Sequence, residues 1–163
     1  EPSEKTTKHL SSFEQQVIQE RQLEFLKTAT VDDKPEVLGM AAQLPTLAQS
    51  EVTGSLYRGC IDYFCKIQDA KNATLLLSQI DTDLEKSGVF TEELFLDVLR
   101  LLIESQERDA PFRAQELVSR MEELDNAGIL NVTTRTYNLL CESWVRSTDP
   151  SAADKVADIL FHM

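Results

Sequence analysis

Cationic residues are scarce in this 163-residue chain: 16 Lys and Arg stand against 28 Asp and Glu, a formal net charge of −12. Nucleic-acid binders draw most of their affinity from neutralising phosphates, so this balance argues against a general binder of that kind. Long apolar runs are missing too. None approaches the ~20 residues of a membrane span, which predicts a soluble chain with no membrane insertion. Glycine and proline number five each, and no stretch alternates apolar with polar residues for long, so strands leave no signature. Cysteine is limited to Cys60, Cys65 and Cys141, an odd number that speaks against a disulfide framework and for a reducing compartment. Histidine occurs twice, as His9 and His162, and no Cys/His set has metal-ligand spacing. With 42% apolar residues the chain is still no disordered acidic tail, and its length suits one domain.

What the chain does have is helical periodicity. Tyr137, Leu140, Cys141 and Trp144 fall at i, i+3, i+4, i+7, and the same spacing joins Phe95, Val98, Leu99 and Leu102, then Tyr57, Cys60, Ile61 and Phe64. Each set opens on an aromatic a few residues after a threonine (Thr133, Thr91, Thr53). A second stripe follows each one: Val156, Ile159, Leu160 and Met163; Ala114, Leu117, Val118 and Met121; Ala73, Leu76, Leu77 and Ile80. Val37, Met40, Ala41 and Leu44 fit that pattern as well. The chain therefore alternates A and B helices, with A-to-A steps of 38 and 42 residues. Periods in this range signal stacked helix pairs, because one pair alone cannot bury both of its stripes. The fold class expected is all-α, a right-handed α-solenoid of antiparallel pairs.

Punctuation agrees with this division. Asp33 with Pro35, Asp109 with Pro111 and Asp149 with Pro150 each precede a B helix, as caps and first-turn residues would. Gly88 and Gly128 stand where B helices should close. The expected organisation is a loose segment over 1–8, an atypical pair over 9–50, and three repeats over 53–90, 91–132 and 133–163. Phe13, Val17, Ile18, Leu23, Phe25 and Leu26 do not reproduce the stripe, which is why the first pair is set apart. An opening residue other than Met, and a helix running to Met163 with no Gly or Pro to close it, suggest a piece of a longer chain. The Val156, Ile159, Leu160, Met163 stripe would then be open and prone to self-association.

Three segments carry a family likeness. Thr136-Tyr137-Asn138 opens a helix, Trp144 follows on the same face, and residues 153–163 read Ala-Asp-Lys-Val-Ala-Asp-Ile-Leu-Phe-His-Met. Arg113-Ala114-Gln115-Glu116-Leu117 runs on to Met121-Glu122-Glu123-Leu124 and Ala127-Gly128-Ile129, and Lys86-Ser87-Gly88-Val89 ends the unit before. Together they resemble the pentatricopeptide repeat over about residues 53–163. The two later units carry three extra residues between the A and B stripes. The tetratricopeptide repeat is the alternative, and its small-residue pattern is poorly matched. The resemblance implies an α-solenoid whose A helices line a groove, residence in a mitochondrion or plastid, and single-stranded RNA read at one base per repeat. It places the reading positions at Arg58, Leu96 and Asn138, after each aromatic, with partners near Thr91 and Thr133. Of these only Asn138 is a residue type the family uses to read a base.

Charge along the A helices is mixed. Arg58, Lys66, Arg100, Arg135 and Arg146 are set against Asp62, Glu92, Glu93, Asp97, Glu104 and Glu142, leaving at most a local basic strip of Arg58, Arg100 and Arg146. Chemistry has no foothold. Asp81, Asp83 and Glu85 lack the glycine of a calcium loop, Asn72-Ala-Thr74 and Asn131-Val-Thr133 are chance-level glycosylation motifs, and no nucleophile has a neighbouring His. No catalytic, metal or cofactor residue is assigned, and the chain reads as a non-enzyme. The leading expectation is a scaffold that docks protein partners in a larger assembly. The alternative is single-stranded RNA binding, with the main reading repeats elsewhere.

Overall fold

The computed structural model describes residues 11–47, 50–80 and 91–163, which form eight α-helices and no strand. They are α1 (Ser12–Thr28), α2 (Lys34–Gln43), α3 (Glu51–Lys66), α4 (Ala70–Ser78), α5 (Glu92–Ser105), α6 (Ala110–Asn126), α7 (Thr134–Arg146) and α8 (Ala152–His162). Short 3₁₀ turns, Val31–Asp33 and Leu44–Thr46, flank α2. Gly88, Asp81, Asp83, Glu85 and His9 lie outside the described residues.

Local chemistry sets the helix ends. Ser11 and Glu14 form a reciprocal capping box at the start of α1, at 3.2 and 3.1 Å. The cap of α3 is Ser50, whose hydroxyl accepts from the Thr53 amide at 3.2 Å, so Thr53 lies inside the helix rather than ahead of it. Of the aspartates expected as caps, none uses its side chain that way. Asp33 accepts from the Thr30 amide and hydroxyl, Asp109 pairs with Arg113, and Asp149 binds the amide of Ser151, which is itself the cap residue of α8. The aspartate that does cap is Asp69, which takes the Asn72 amide at 3.1 Å at the head of α4. Gly128, at φ +74°, closes α6: its amide reaches the Asp125 carbonyl and Ile129 the Leu124 carbonyl, each at 2.9 Å. Gln68 and Gln106 also adopt left-handed φ, each eleven residues after its repeat's aromatic, where an A helix turns into the linker before its B helix.

In the last three pairs each A helix packs on its own B helix, each A helix packs on the next A helix, and each B helix from α4 onward reaches the following A helix where that neighbour exists. Thus α3 contacts α1, α4 and α5, and α5 contacts α3, α4, α6 and α7. The A stripe is buried in α3 and α5: Tyr57, Cys60, Ile61 and Phe64, then Phe95, Val98, Leu99 and Leu102. In α7 Leu140 and Trp144 are buried, and Tyr137 and Cys141 half-buried. Gly59 faces α1, where a Cβ would stand 3.0 Å from Leu26 Cδ1, so the absent side chain lets α1 sit close on α3. Tyr63 donates to the Thr30 carbonyl at 2.7 Å, and Lys34 meets Asp69 at 2.7 Å, tying the atypical first pair to α3 and α4.

Repeat-equivalent residues in the last two pairs have opposite fates. Ile103, Val118 and Met121 are 6%, 1% and 0% exposed, whereas their counterparts Val145, Leu160 and Met163 are 70%, 60% and 49% exposed. Phe161 adds to that face. Two outcomes are expected. Leu96→Ala, which empties a fully buried site on α5, should cost about 2–5 kcal/mol in chemical denaturation. Light scattering across a concentration series should show association, reduced in a Leu160→Lys, Phe161→Asp variant; a strictly monomeric wild type at high concentration would contradict this.

Candidate binding surface

The outer face of the A helices is where a groove-binding repeat would meet its ligand. Ser55, Arg58, Asp62 and Lys66 occupy that face on α3, together with Leu23, Leu26 and Lys27 of α1 along a shallow groove of about 580 Å³. The matching residues are Glu93, Leu96, Arg100 and Glu104 on α5, and Arg135, Asn138, Glu142 and Arg146 on α7. Neighbouring helices therefore present opposite signs at several levels of the stack.

Most of these charges are spoken for. Arg135 reaches Glu93 across the α5–α7 boundary at 2.6 Å, Arg100 pairs with Asp97 at 2.9 Å, and Arg146 pairs with Glu142 at 2.7 Å. Partial burial raises the Asp62 carboxyl, with Arg58 opposing and the like charge of Asp97 reinforcing the shift. The expected basic strip is also poorly aligned. Arg58, Arg100 and Arg146 stand one, five and nine residues beyond their aromatics, so each steps about 6 Å along its helix from the last.

The expected base-reading positions are not equivalent. Asn138 and Arg58 are exposed, and Thr91 is the exposed cap residue of α5. Leu96 is fully buried, on a helix that α3, α4, α6 and α7 all contact. Thr133 is engaged within the fold. Its amide and hydroxyl both donate to Glu92 Oε1 at 2.8 Å, and the Thr136 hydroxyl joins them at 2.8 Å. Glu92 thus caps α7 from the neighbouring helix, favourably placed at a helix N-terminus. Burial works to raise this carboxyl, but the three hydrogen bonds, helped by Arg135, outweigh it and hold it below the ordinary glutamate value. Sequence reading passed over this clamp. Its signal was an acid and two hydroxyls 41 and 44 residues apart, close to one repeat length.

A deeper cleft of about 870 Å³ opens between the α5–α6 and α7–α8 turns. The extra residues of the two later repeats supply its walls, 106–110 on one side and 147–150 on the other. Leu102, Ile103, Pro111 and Phe112 line part of it, and polar or charged residues, Ser143 among them, line the rest. Phe112 meets the buried Trp144 ring edge-on at 5.0 Å, which makes Trp144 a core residue. Burial pushes the Cys60 thiol up to about 12, and burial with Asp62 and Asp97 nearby does the same for Cys65, which disfavours the thiolate at both. Among the described residues no three His, Cys, Asp or Glu side chains are grouped to hold a metal ion, and no described helix is long and apolar enough to cross a membrane.

No protein-family model, curated protein or solved structure matches this chain.

The clamp has a pH signature. A carboxyl depressed in the folded state adds stability above its unfolded value and loses it as pH falls through the folded one. Glu92→Gln should therefore destabilise by about 1 kcal/mol at neutral pH, the scale of a lost cap. The gap to wild type should close below the ordinary glutamate range. Equal stability of the two proteins at pH 7 would remove the clamp's role.

Proposed function

We propose that this chain is a non-catalytic, pentatricopeptide-like helical-repeat module, a right-handed solenoid that docks protein partners within a larger organellar assembly, mitochondrial or plastid. The observation that carries this reading is the charge pairing on the A-helix face. Glu93–Arg135, Asp97–Arg100 and Glu142–Arg146 satisfy cations that a phosphate track would need to keep available. The net charge of −12 adds a long-range field that repels polyanions and attracts basic partners. Packing of each A helix on the next supports the solenoid form, and the stacked pairs hold an extended surface rigid without any chemistry. The exposed Val145, Leu160, Phe161 and Met163 supply an apolar contact at one end.

Single-stranded RNA binding is the second reading. Asn138 favours it, being exposed on α7 at a position where the pentatricopeptide resemblance puts a base-reading residue. A titration with a random-sequence single-stranded RNA pool at low and moderate salt separates the two. The scaffold reading predicts no binding even at low salt. Tight binding that weakens steeply with salt, and is lost when Arg58, Arg100 and Arg146 are changed to Glu, would establish the RNA reading in its place.

A further inference from the structure

The last helix pair repeats the one before it but leaves open a face that its predecessor buries. α5 with α6 and α7 with α8 correspond at a step of 42 residues. Ile103, Val118 and Met121 are buried in the earlier pair, and Val145, Leu160 and Met163 at the same places are exposed. The difference between the pairs is a following A helix. α7 contacts both α5 and α6, and among the described residues no helix follows α8 to do the same for α7 and α8. An open apolar face at the end of a stack is a place for a partner.

The internal interface one step back indicates what the open face accepts. It takes a single helix laid against two, and α7 shows the stripe such a helix carries. Leu140 and Trp144 are buried; Trp144 meets Phe112 of α6 edge-on at 5.0 Å, and Tyr137 donates to Glu122 of α6 at 2.8 Å. Charge then selects among amphipathic helices. Glu93 and Arg135 pair at 2.6 Å and stand 42 residues apart, so this ion pair joins equivalent positions on successive A helices. The next helix in such a series would meet Arg135. That guanidinium is exposed, and its five donors can serve a second carboxylate. We infer that the α7–α8 face binds an amphipathic partner helix whose apolar residues fall at i, i+3, i+4, i+7, with an acidic residue two places before the first of them. An acid there lies in the first turn of the partner helix, where the helix dipole also favours it. The inference rests on the scaffold reading and names the form of the partner.

The test uses the full chain, observed through its backbone amide NMR spectrum. The probe is an acetylated and amidated peptide with the sequence of residues 133–147, the α7 segment, carrying Arg135→Glu. Its companions are the unchanged sequence and a scrambled one. The Glu peptide is expected to shift the amides of Val145, Leu160 and Met163. The unchanged sequence should bind about threefold more weakly, the scale of one exposed charge pair. Leu160→Lys in the protein should weaken the Glu peptide at least about tenfold with Tm unchanged, because that side chain is already exposed. Val145→Lys, on the α7 side of the same face, should do the same. Tighter binding of the unchanged sequence would mean that the peptide displaces α7 from its place beside Glu93, and would overturn the proposal. No shift with any peptide, equal binding of the scrambled one, or indifference to both Lys variants would also overturn it. Shifts of the same amides on raising the protein concentration alone, which the Glu peptide fails to reverse, would make a second copy the occupant and overturn it too. Failure of the peptides leaves the scaffold reading standing, since the RNA titration tests that reading separately.

Discussion

The helix α5 dictates the arrangement of the rest. Leu94, Phe95, Leu96, Val98, Leu99, Leu101, Leu102 and Ile103 are all buried, so this fourteen-residue helix is apolar over most of its circumference, beside a polar stripe of Glu93, Asp97, Arg100 and Glu104. A helix with so wide an apolar face is stable only when several neighbours enclose it. α3 and α4 cover it from the preceding pair, α6 from its own, and α7 from the following one. The burial of one helix therefore demands stacking in both directions, and it takes the residue after Phe95 out of contact with any groove ligand.

Polar contacts then fix how neighbouring pairs are set against one another. Apolar packing is non-directional and tolerates small shifts between helices. Glu92 with Thr133 and Thr136, and Glu93 with Arg135, specify one placement of α7 against α5, both at the N-terminal ends of these helices. Lys34 with Asp69, and Tyr63 with the Thr30 carbonyl, play the same part at the first pair. Acidic residues that would spoil a phosphate groove are thus structural braces. The excess negative charge remaining on the surface bears on partner choice, not on folding.

Much of the helical pattern was legible because it depends on short-range periodicity. The stripes Phe95, Val98, Leu99, Leu102 and Ala114, Leu117, Val118, Met121 are buried where the i, i+3, i+4, i+7 spacing places them. The closing role of Gly128 was legible for the same reason, since a left-handed C′ position is a local requirement. Contacts between repeats were not. Whether Leu96 faces a groove or a neighbour depends on where the surrounding helices lie, and a single helix carries no record of that. Asp33, Asp109 and Asp149 looked like caps because aspartate often is one, yet nearby Thr30, Arg113 and Ser151 offered each carboxylate another partner. The cleft is an intermediate case. Its extra turn residues were visible, but their convergence belongs to the assembled fold.

Native-state amide hydrogen exchange tests the dependence on α5 most directly, because it resolves opening free energies helix by helix. If stacking on both sides of α5 holds the molecule together, the amides of Leu96 to Leu102 exchange only through global unfolding, at the highest protection in the chain, with α8 opening well before them. Exchange of α5 at a lower free energy than α3 or α7 would contradict the account.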